Sequence, residues 1–439
     1  MEKLKIYSIL IIFIILSVNP IGTSLKGDNS EEIYINIITG ENNFIISQKI
    51  IDIMDKINES LIEEYLIKIV SYSPRETGTY GCEKTGEYIY NQFEQMDINV
   101  RYHEWEKFVN NKNYKGIYKS NNVEGTIKGT NLNSDKIVLF NSHHDAVKIS
   151  PGANDNGAGT AGVIAAAYAL SQFDFQNSIK LLTFSGEEQG LLGSIEYVEE
   201  LYENDENIFV EINADMIGRA VTSEGGKQMG LSLTEDILWM PDLFRSLSDA
   251  YGLNFEISSM QMPRLGLSFG SDFSSFVNFG YESVAVWESD GDPYMHTEND
   301  GLENVNISYL TNMTKLITGA IAYIADDGII QSQVKIVSPR KGIMYFEDRK
   351  IRDLEDFNTV IVDDVLIIAE ATPGAVPIDY VEFYYNGIKQ ETDNEAPYQY
   401  RLNKISFTKH IVKVVAYDKN GDTSTDQIIF KYFNLFKNR

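Results

Sequence analysis

The sequence predicts an α/β domain, with a mixed, mostly parallel sheet sandwiched by helices, followed by an all-β, immunoglobulin-like sandwich. Short apolar runs at 136–140 (KIVLF), 180–188, 208–216 and 283–290 alternate with segments of helical periodicity, the pattern of a sheet covered on both faces. Beyond residue 333 the helical period disappears. Strand-like runs at 360–369, 380–385, 410–417 and 427–432 are then separated by turns such as Tyr385-Asn386-Gly387 and Lys419-Asn420-Gly421.

The chain has 439 residues, too many for one average domain and ample for a large core. A content of 43% hydrophobic and 23% charged residues excludes a long disordered chain. The net charge of −27 excludes nucleic acid as a partner. The single cysteine, Cys82, rules out an internal disulfide and a thiolate metal cluster, and is expected to be a buried, inert thiol.

Residues 1–24 carry Lys3 and Lys5, an apolar run at 6–18 and then NPIGTS. The run is short for a membrane span, and Gly22 and Ser24 offer small residues for cleavage, so a signal peptide and secretion are expected. An uncleaved N-terminal membrane anchor is the alternative; no cysteine near the run permits a lipoprotein anchor. Apolar spacing predicts one or two helices over 45–72 and another over 83–96. Further helices are expected near 160–172, 191–202, 242–251 and 308–325, and short strands near 98–105 and 122–127. These place a first domain at 45–328 and the β-sandwich at 333–433.

Residues 141–159 (NSHHDAVKISPGANDNGAG) lie between the strand at 136–140 and the Ala-rich helix that follows. His143 and Asp145 therefore stand at a strand's carboxyl end and Asp155 in the loop before a helix, where open α/β sheets gather their ligands. The other strands end alike: Glu187 and Glu188 follow one, Asp215 another, and His296 comes soon after the last. Singly, each residue has an ordinary reading, as a solvated carboxylate, a helix cap or an Asx turn. Together they converge on one rim of one sheet, with three of the chain's five histidines in these few stretches. Imidazole and carboxylate donors in this mixture point to a divalent metal, zinc first.

The ordered motifs HHD, GANDNGAG, SGEEQGLLGS, NADMIG and HTEND resemble those of the secreted di-zinc aminopeptidases. This is metallopeptidase family twenty-eight, the group of aminopeptidase Y and the bacterial leucyl aminopeptidases. SPRETGTYG, NNVEGTIKG and FGSDFSSF are similar to further family segments, so the resemblance spans roughly 45–325. It implies the zinc exopeptidase fold and two zinc ions bridged by Asp155, one also held by His143 and Asp215, the other by Glu188 and His296. It further implies that Glu187 is the general base, that Asp145 orients the His143 imidazole, and that Asp300 does the same for His296. His144, facing away on the strand, is read as structural. Two positions depart from the family: Phe273 stands where histidine commonly follows Ser271-Asp272, and Gly301 where threonine usually follows HTEND.

The implied activity is release of the N-terminal residue from peptides with a free amino end. A zinc carboxypeptidase, a glutaminyl cyclase of the same fold, and a non-catalytic surface binding protein are the alternatives. The sandwich is read as an accessory module that contacts a cell surface, a glycan or a protein. Phe, Leu and Met residues within 260–279 point to an apolar substrate pocket.

Overall fold

The structure is a computed structural model and describes residues 44–110, 114–262, 270–326, 333–354, 359–372, 377–419 and 423–434. The expected signal peptide lies outside these residues, as do parts of the 260–279 segment, the 419–421 turn and the junction near 328. The chain divides into two compact units, one of Met1–Val198 with Asn207–Asp326, the other of Glu199–Glu206 with Asp327–Arg439.

The first unit is built on an eight-stranded sheet. Its strands are β1 (Asn99–Asn110), β2 (Lys115–Ile127), β3 (Ile137–His143), β4 (Ser178–Phe184), β5 (Ile208–Ala214), β6 (Gln228–Leu233), β7 (Glu256–Gln261) and β8 (Ser283–Trp287). Their order is β1-β2-β4-β3-β5-β8-β6-β7. The four central strands β4, β3, β5 and β8 run parallel, while β1, β2 and β6 make antiparallel joins. Parallel strands need helical crossovers on both faces, so β3 and β4 are buried along almost their whole length and are mainly apolar.

The helices are α1 (Gln48–Met54), α2 (Glu59–Val70), α3 (Tyr80–Gln95), α4 (Gly159–Leu170), α5 (Leu192–Glu203), α6 (Met240–Tyr251), α7 (Phe273–Phe279) and α8 (Ile307–Ala325). Side-chain caps fix several starts: Asn58 accepts from the amide of Leu61, and Asn306 from that of Tyr309. Helix α4 is almost wholly buried because it packs against both α2 and α8, and its alanines and glycines allow that close approach. The hairpin β1–β2 extends further than the expected 98–105 and 122–127, through a polar stretch that pairs residue for residue from Asn99↔Thr126 to Asn110↔Lys115.

Apart from the end of α5, the described residues of the second unit are all β. It comprises β9 (Gln333–Ser338), β10 (Ile343–Phe346), β11 (Arg349–Asp353), β12 (Thr359–Val362), β13 (Val365–Thr372), β14 (Ile378–Tyr385), β15 (Ile388–Asp393), β16 (Tyr398–Leu402), β17 (Ser406–Asp418) and β18 (Thr423–Asn434). A seven-stranded sheet, β11-β10-β12-β18-β17-β14-β15, and a three-stranded one, β16-β13-β9, enclose a core that includes Ile361, Ile367, Phe383, Val414 and Phe430. This is a β-sandwich.

The single strand expected over 360–369 is instead two strands in different sheets. At Asp363 the backbone turns to φ +70°, and its carboxylate accepts the amide of Asp364, so the chain leaves one sheet and enters the other. The Asn386-Gly387 turn has φ of +49° and +77°, the conformation a tight hairpin requires.

Candidate metal centre

Three strand ends and two loops bring the donors together. His143 closes β3, and its Nε2 lies 3.3 Å from Asp155 Oδ1 and 3.4 Å from Asp215 Oδ1, just beyond the end of β5. His296 follows β8 on a residue with φ +59°, and its Nε2 lies 3.1 Å from Asp155 Oδ2 and 3.1 Å from Glu188 Oε2. Asp155 thus turns one carboxylate oxygen to each histidine. The result is two three-donor groups, His143/Asp155/Asp215 and Asp155/Glu188/His296, that share Asp155.

The orphaned atoms test whether a metal fits. His143 Nε2 and Asp215 Oδ1 are buried within ion-pair distance of one another yet make no hydrogen bond among the described residues. Leaving such groups unpaired costs about 1–3 kcal/mol each. Donor separations of 3.1–3.4 Å lie close to the edges, about 3.3–3.6 Å, of a tetrahedron around an ion with bonds of about 2.0–2.2 Å. The arrangement fits two divalent ions with nitrogen and oxygen ligands.

The loop carrying Asp155 is held from outside. Asn156 donates to the Ala214 carbonyl at 2.9 Å and accepts the Gly159 amide at 2.9 Å, tying the loop to the end of β5 and to the start of α4. Asp300 accepts the amides of Asn154 at 2.8 Å and Asp155 at 3.1 Å. The resemblance implies that Asp300 orients His296; the structure instead places it under the Asp155 loop. The fully buried Arg75 completes this support by donating to the carbonyls of His144, Pro151 and Gly152.

The Glu187–Glu188 loop is held by Asp145 and by the β1–β2 hairpin. Asp145 Oδ1 accepts the Glu187 amide at 3.3 Å, and Oδ2 accepts the Glu188 amide at 3.4 Å and the Thr77 hydroxyl at 2.9 Å. Thr77 in turn accepts the Gly186 amide at 2.8 Å. Asp145 also lies beside His143, with Oδ1 3.6 Å from Nδ1, while its main-chain oxygen comes nearer at 3.2 Å. The loop's two ends meet in one side chain: Asn122 accepts the Ser185 amide at 3.1 Å and donates to the Gly193 carbonyl at 2.8 Å. Trp105 donates to Ser185 Oγ at 3.0 Å, and its ring covers Gly186, where φ is +81° and a Cβ would meet the ring at 2.7 Å. Only glycine fits there.

Arg75, Thr77, Asn122 and Trp105 carry no metal-ligand signature and are absent from the sequence-derived site. SPRETGTYG and NNVEGTIKG marked three of them only as segments. His144 is buried against Thr183 Oγ1 at 3.1 Å, and burial pushes its imidazole down to about 4, so it is neutral and structural in place.

The carboxylates titrate as a crowded group. Burial raises Glu187 well above the ordinary carboxylate range; His143 opposes this, while Asp215, Asp272 and Glu188 add to it. Burial also opposes charge on His143, but Asp215, Glu187, Asp145 and Asp155 outweigh it and hold the imidazole up. His296 is raised to about 10 by its contacts with Asp155 and Glu188. Among the described residues, excess negative charge facing two histidines is what bound cations would neutralise.

The centre opens into a cleft of about 610 Å³ whose lining includes Met216, Phe273, Trp287 and Met295 on its apolar part and Glu288, Asp290 and Asp292 on its acidic part. Phe273 packs with Met262, Val277 and Ala285, so the residue that departs from the family pattern is part of the cleft's apolar wall.

Residues 122–321 match the model of peptidase family M28. Aminopeptidase YwaD of Bacillus subtilis is 28% identical over 238 residues, which is 53% of this chain and 50% of that protein. The chain thus spans about half the length of that curated relative. Among solved structures, a zinc aminopeptidase from Bacillus subtilis superposes with a TM-score of 0.50 at 18% identity, covering 64% of this chain and 96% of that one. A glutaminyl cyclase from Bacteroides thetaiotaomicron superposes with 0.51 at 16% identity, covering 61% and 98%. At such identities these two likenesses describe the fold alone. The likeness to peptidase family M28 thus covers residues 122–321, somewhat less than half of the chain.

Proposed function

We propose that this protein is a secreted zinc aminopeptidase that removes the N-terminal residue from peptides with a free amino end. The observation that carries the proposal is the sharing of Asp155, whose two oxygens face His143 and His296 at 3.3 Å and 3.1 Å. His143, Asp155 and Asp215 would hold one zinc ion, and Asp155, Glu188 and His296 the other. Such a pair supplies Lewis acidity that lowers the pKa of a shared water and polarises the scissile carbonyl.

This chain's own residues do the rest. Glu187 lies beside the donors without belonging to either three-donor group. It takes the proton of the attacking water and passes it to the departing amine, a task that needs a carboxylate beside the metals but not captured by them. Asp145 keeps the main chain of Glu187 and Glu188 in place, so that one glutamate serves substrate and the other metal. The acidic part of the cleft favours a cationic α-amine, and the apolar wall of Met216, Phe273, Trp287 and Met295 receives an uncharged side chain. A complete donor set for two ions supports hydrolysis over cyclisation. The run at residues 6–18 supports export as a signal peptide.

The test is release of free amino acid from an unblocked peptide and from its N-acetylated twin, before chelation, after it, and with zinc restored. Cleavage of the unblocked peptide alone, lost and regained with zinc, is the expected result. Cleavage of both peptides would point to a carboxypeptidase or endopeptidase. No cleavage, with two zinc ions bound, would move the reading to a cyclase or a binding protein.

A further inference from the structure

The outer face of the seven-stranded sheet carries a row of apolar side chains with no part in the chemistry above. Register sets Phe346 opposite Val362, Val362 opposite Phe433, and Phe433 opposite Phe407, so the four share one face across β10, β12, β18 and β17. Their sequence neighbours Tyr345, Ile361 and Tyr432 are buried in the sandwich core, and alternation therefore turns the row outward. Phe346, Phe407 and Phe433 are 47%, 58% and 40% exposed. Three exposed rings in one contiguous row are more than scattered surface hydrophobics.

The row is bordered by cations. Arg349 stands opposite Phe346 and extends the row on β11. The adjacent row on the same face reads Arg352, Met344, Val360, Lys431 and Lys409 across five strands. The two rows together hold four basic residues and no acidic one. Nearby acids lie at strand ends and turns: Asp348 is paired with Arg401 at 2.9 Å and Asp353 with Lys350 at 2.5 Å, while Glu347 and Asp363 occupy turns. The charge of the chain is also unevenly spread. From Asp327 on there are 15 basic and 17 acidic residues, against 22 and 47 before it, so the net −27 is carried almost entirely by the first part.

We propose that this face docks the protein on an anionic lipid surface, with Phe346, Phe407 and Phe433 entering the interface and Arg349, Arg352, Lys409 and Lys431 meeting the headgroups. A polyanion in water would engage the cations but would leave the three rings without an apolar phase. A bilayer accommodates both signals, and stable peripheral binding needs two such signals together. The proposal is independent of the aminopeptidase reading.

The test is flotation of the chain from Leu25 onward, as the signal-peptide reading implies, with phosphatidylcholine vesicles, with and without phosphatidylglycerol, against two variants, Phe407→Ser/Phe433→Ser and Lys409→Glu/Lys431→Glu. All substituted positions are solvent-facing, and without the apolar run at 6–18 no other apolar segment carries the chain onto uncharged vesicles. The expected result is binding only to phosphatidylglycerol vesicles, weakened by salt and reduced at least about ten-fold by either variant. Binding that is unchanged in both variants would overturn the proposal. So would equal binding to uncharged vesicles, binding to a soluble polyanion without vesicle binding, or self-association abolished by the Phe variant.

Discussion

The carboxylate of Asp145 lies under the main chain of Glu187, accepting its amide at 3.3 Å while the same side chain also accepts the Glu188 amide and flanks His143. One buried group thus positions the His143 imidazole and the two glutamates to which the proposal gives distinct roles. Asp145→Ala is expected to lower zinc affinity by about 10–100-fold, as loss of a supporting partner does, and to lower turnover as well. Metal titration with kcat measured at saturating zinc checks this. Full turnover once zinc is saturating would show that Asp145 acts on metal affinity alone.

Glu187→Gln separates the adjacent glutamates. The variant is expected to retain both zinc ions and lose about 10²–10⁴-fold in kcat, the usual worth of a general base. Metal analysis of the purified variant decides the assignment. Loss of one ion with Glu187→Gln, and its retention with Glu188→Gln, would reverse the two roles.

Asn122 closes the Glu187–Glu188 loop at both ends, through Ser185 and Gly193. Asn122→Ala strands a buried amide and a buried carbonyl, and is expected to cost about 1–3 kcal/mol of stability for each. Because the loop carries Glu187 and Glu188 and not the cleft's apolar wall, kcat should fall more than KM rises. A change in KM alone would separate Asn122 from the Glu187–Glu188 loop.

Much of this was legible in the chain, for physical reasons. β3, β4 and β5 are buried on both faces, so their sequences are mainly apolar, with few polar residues such as Lys180 and Glu211, and candidate metal donors at parallel strand ends announce themselves by residue type. By contrast β6 and β7 carry Gly230, Ser232, Ser258 and Ser259, and their place is set by packing, with the Trp287 ring lying where a Cβ on Gly230 would be, at 2.4 Å. Likewise Asp300 supports Asn154 from 146 residues away, and Trp105 meets Ser185 across 80. No local pattern encodes such contacts. The misplacement of Asp300 beside His296 follows from this, since sequence proximity favoured the wrong partner.

Glu211 gives the chain a pH dependence that does not involve the metal donors. Its side chain is fully buried on β5, where Asn141 donates to it, and burial raises its pKa to about 8 from an ordinary 4.5. The folded state therefore keeps this proton up to about pH 8, whereas the unfolded chain releases it near 4.5. Between those values the folded state binds more protons, so stability falls as pH rises. Glu211 thus favours folding least at alkaline pH, by an amount on the order of several kcal/mol. Glu211→Gln keeps an acceptor for Asn141 and removes the charge. Its melting temperature relative to the parent chain should therefore rise steadily between about pH 5 and pH 8 and level off above that. Metal-saturated samples should be used throughout, so that the donors do not titrate in the same window. A constant difference between the two chains across this range would mean that Glu211 is ionised in the folded protein, with a cation or a buried water beside it.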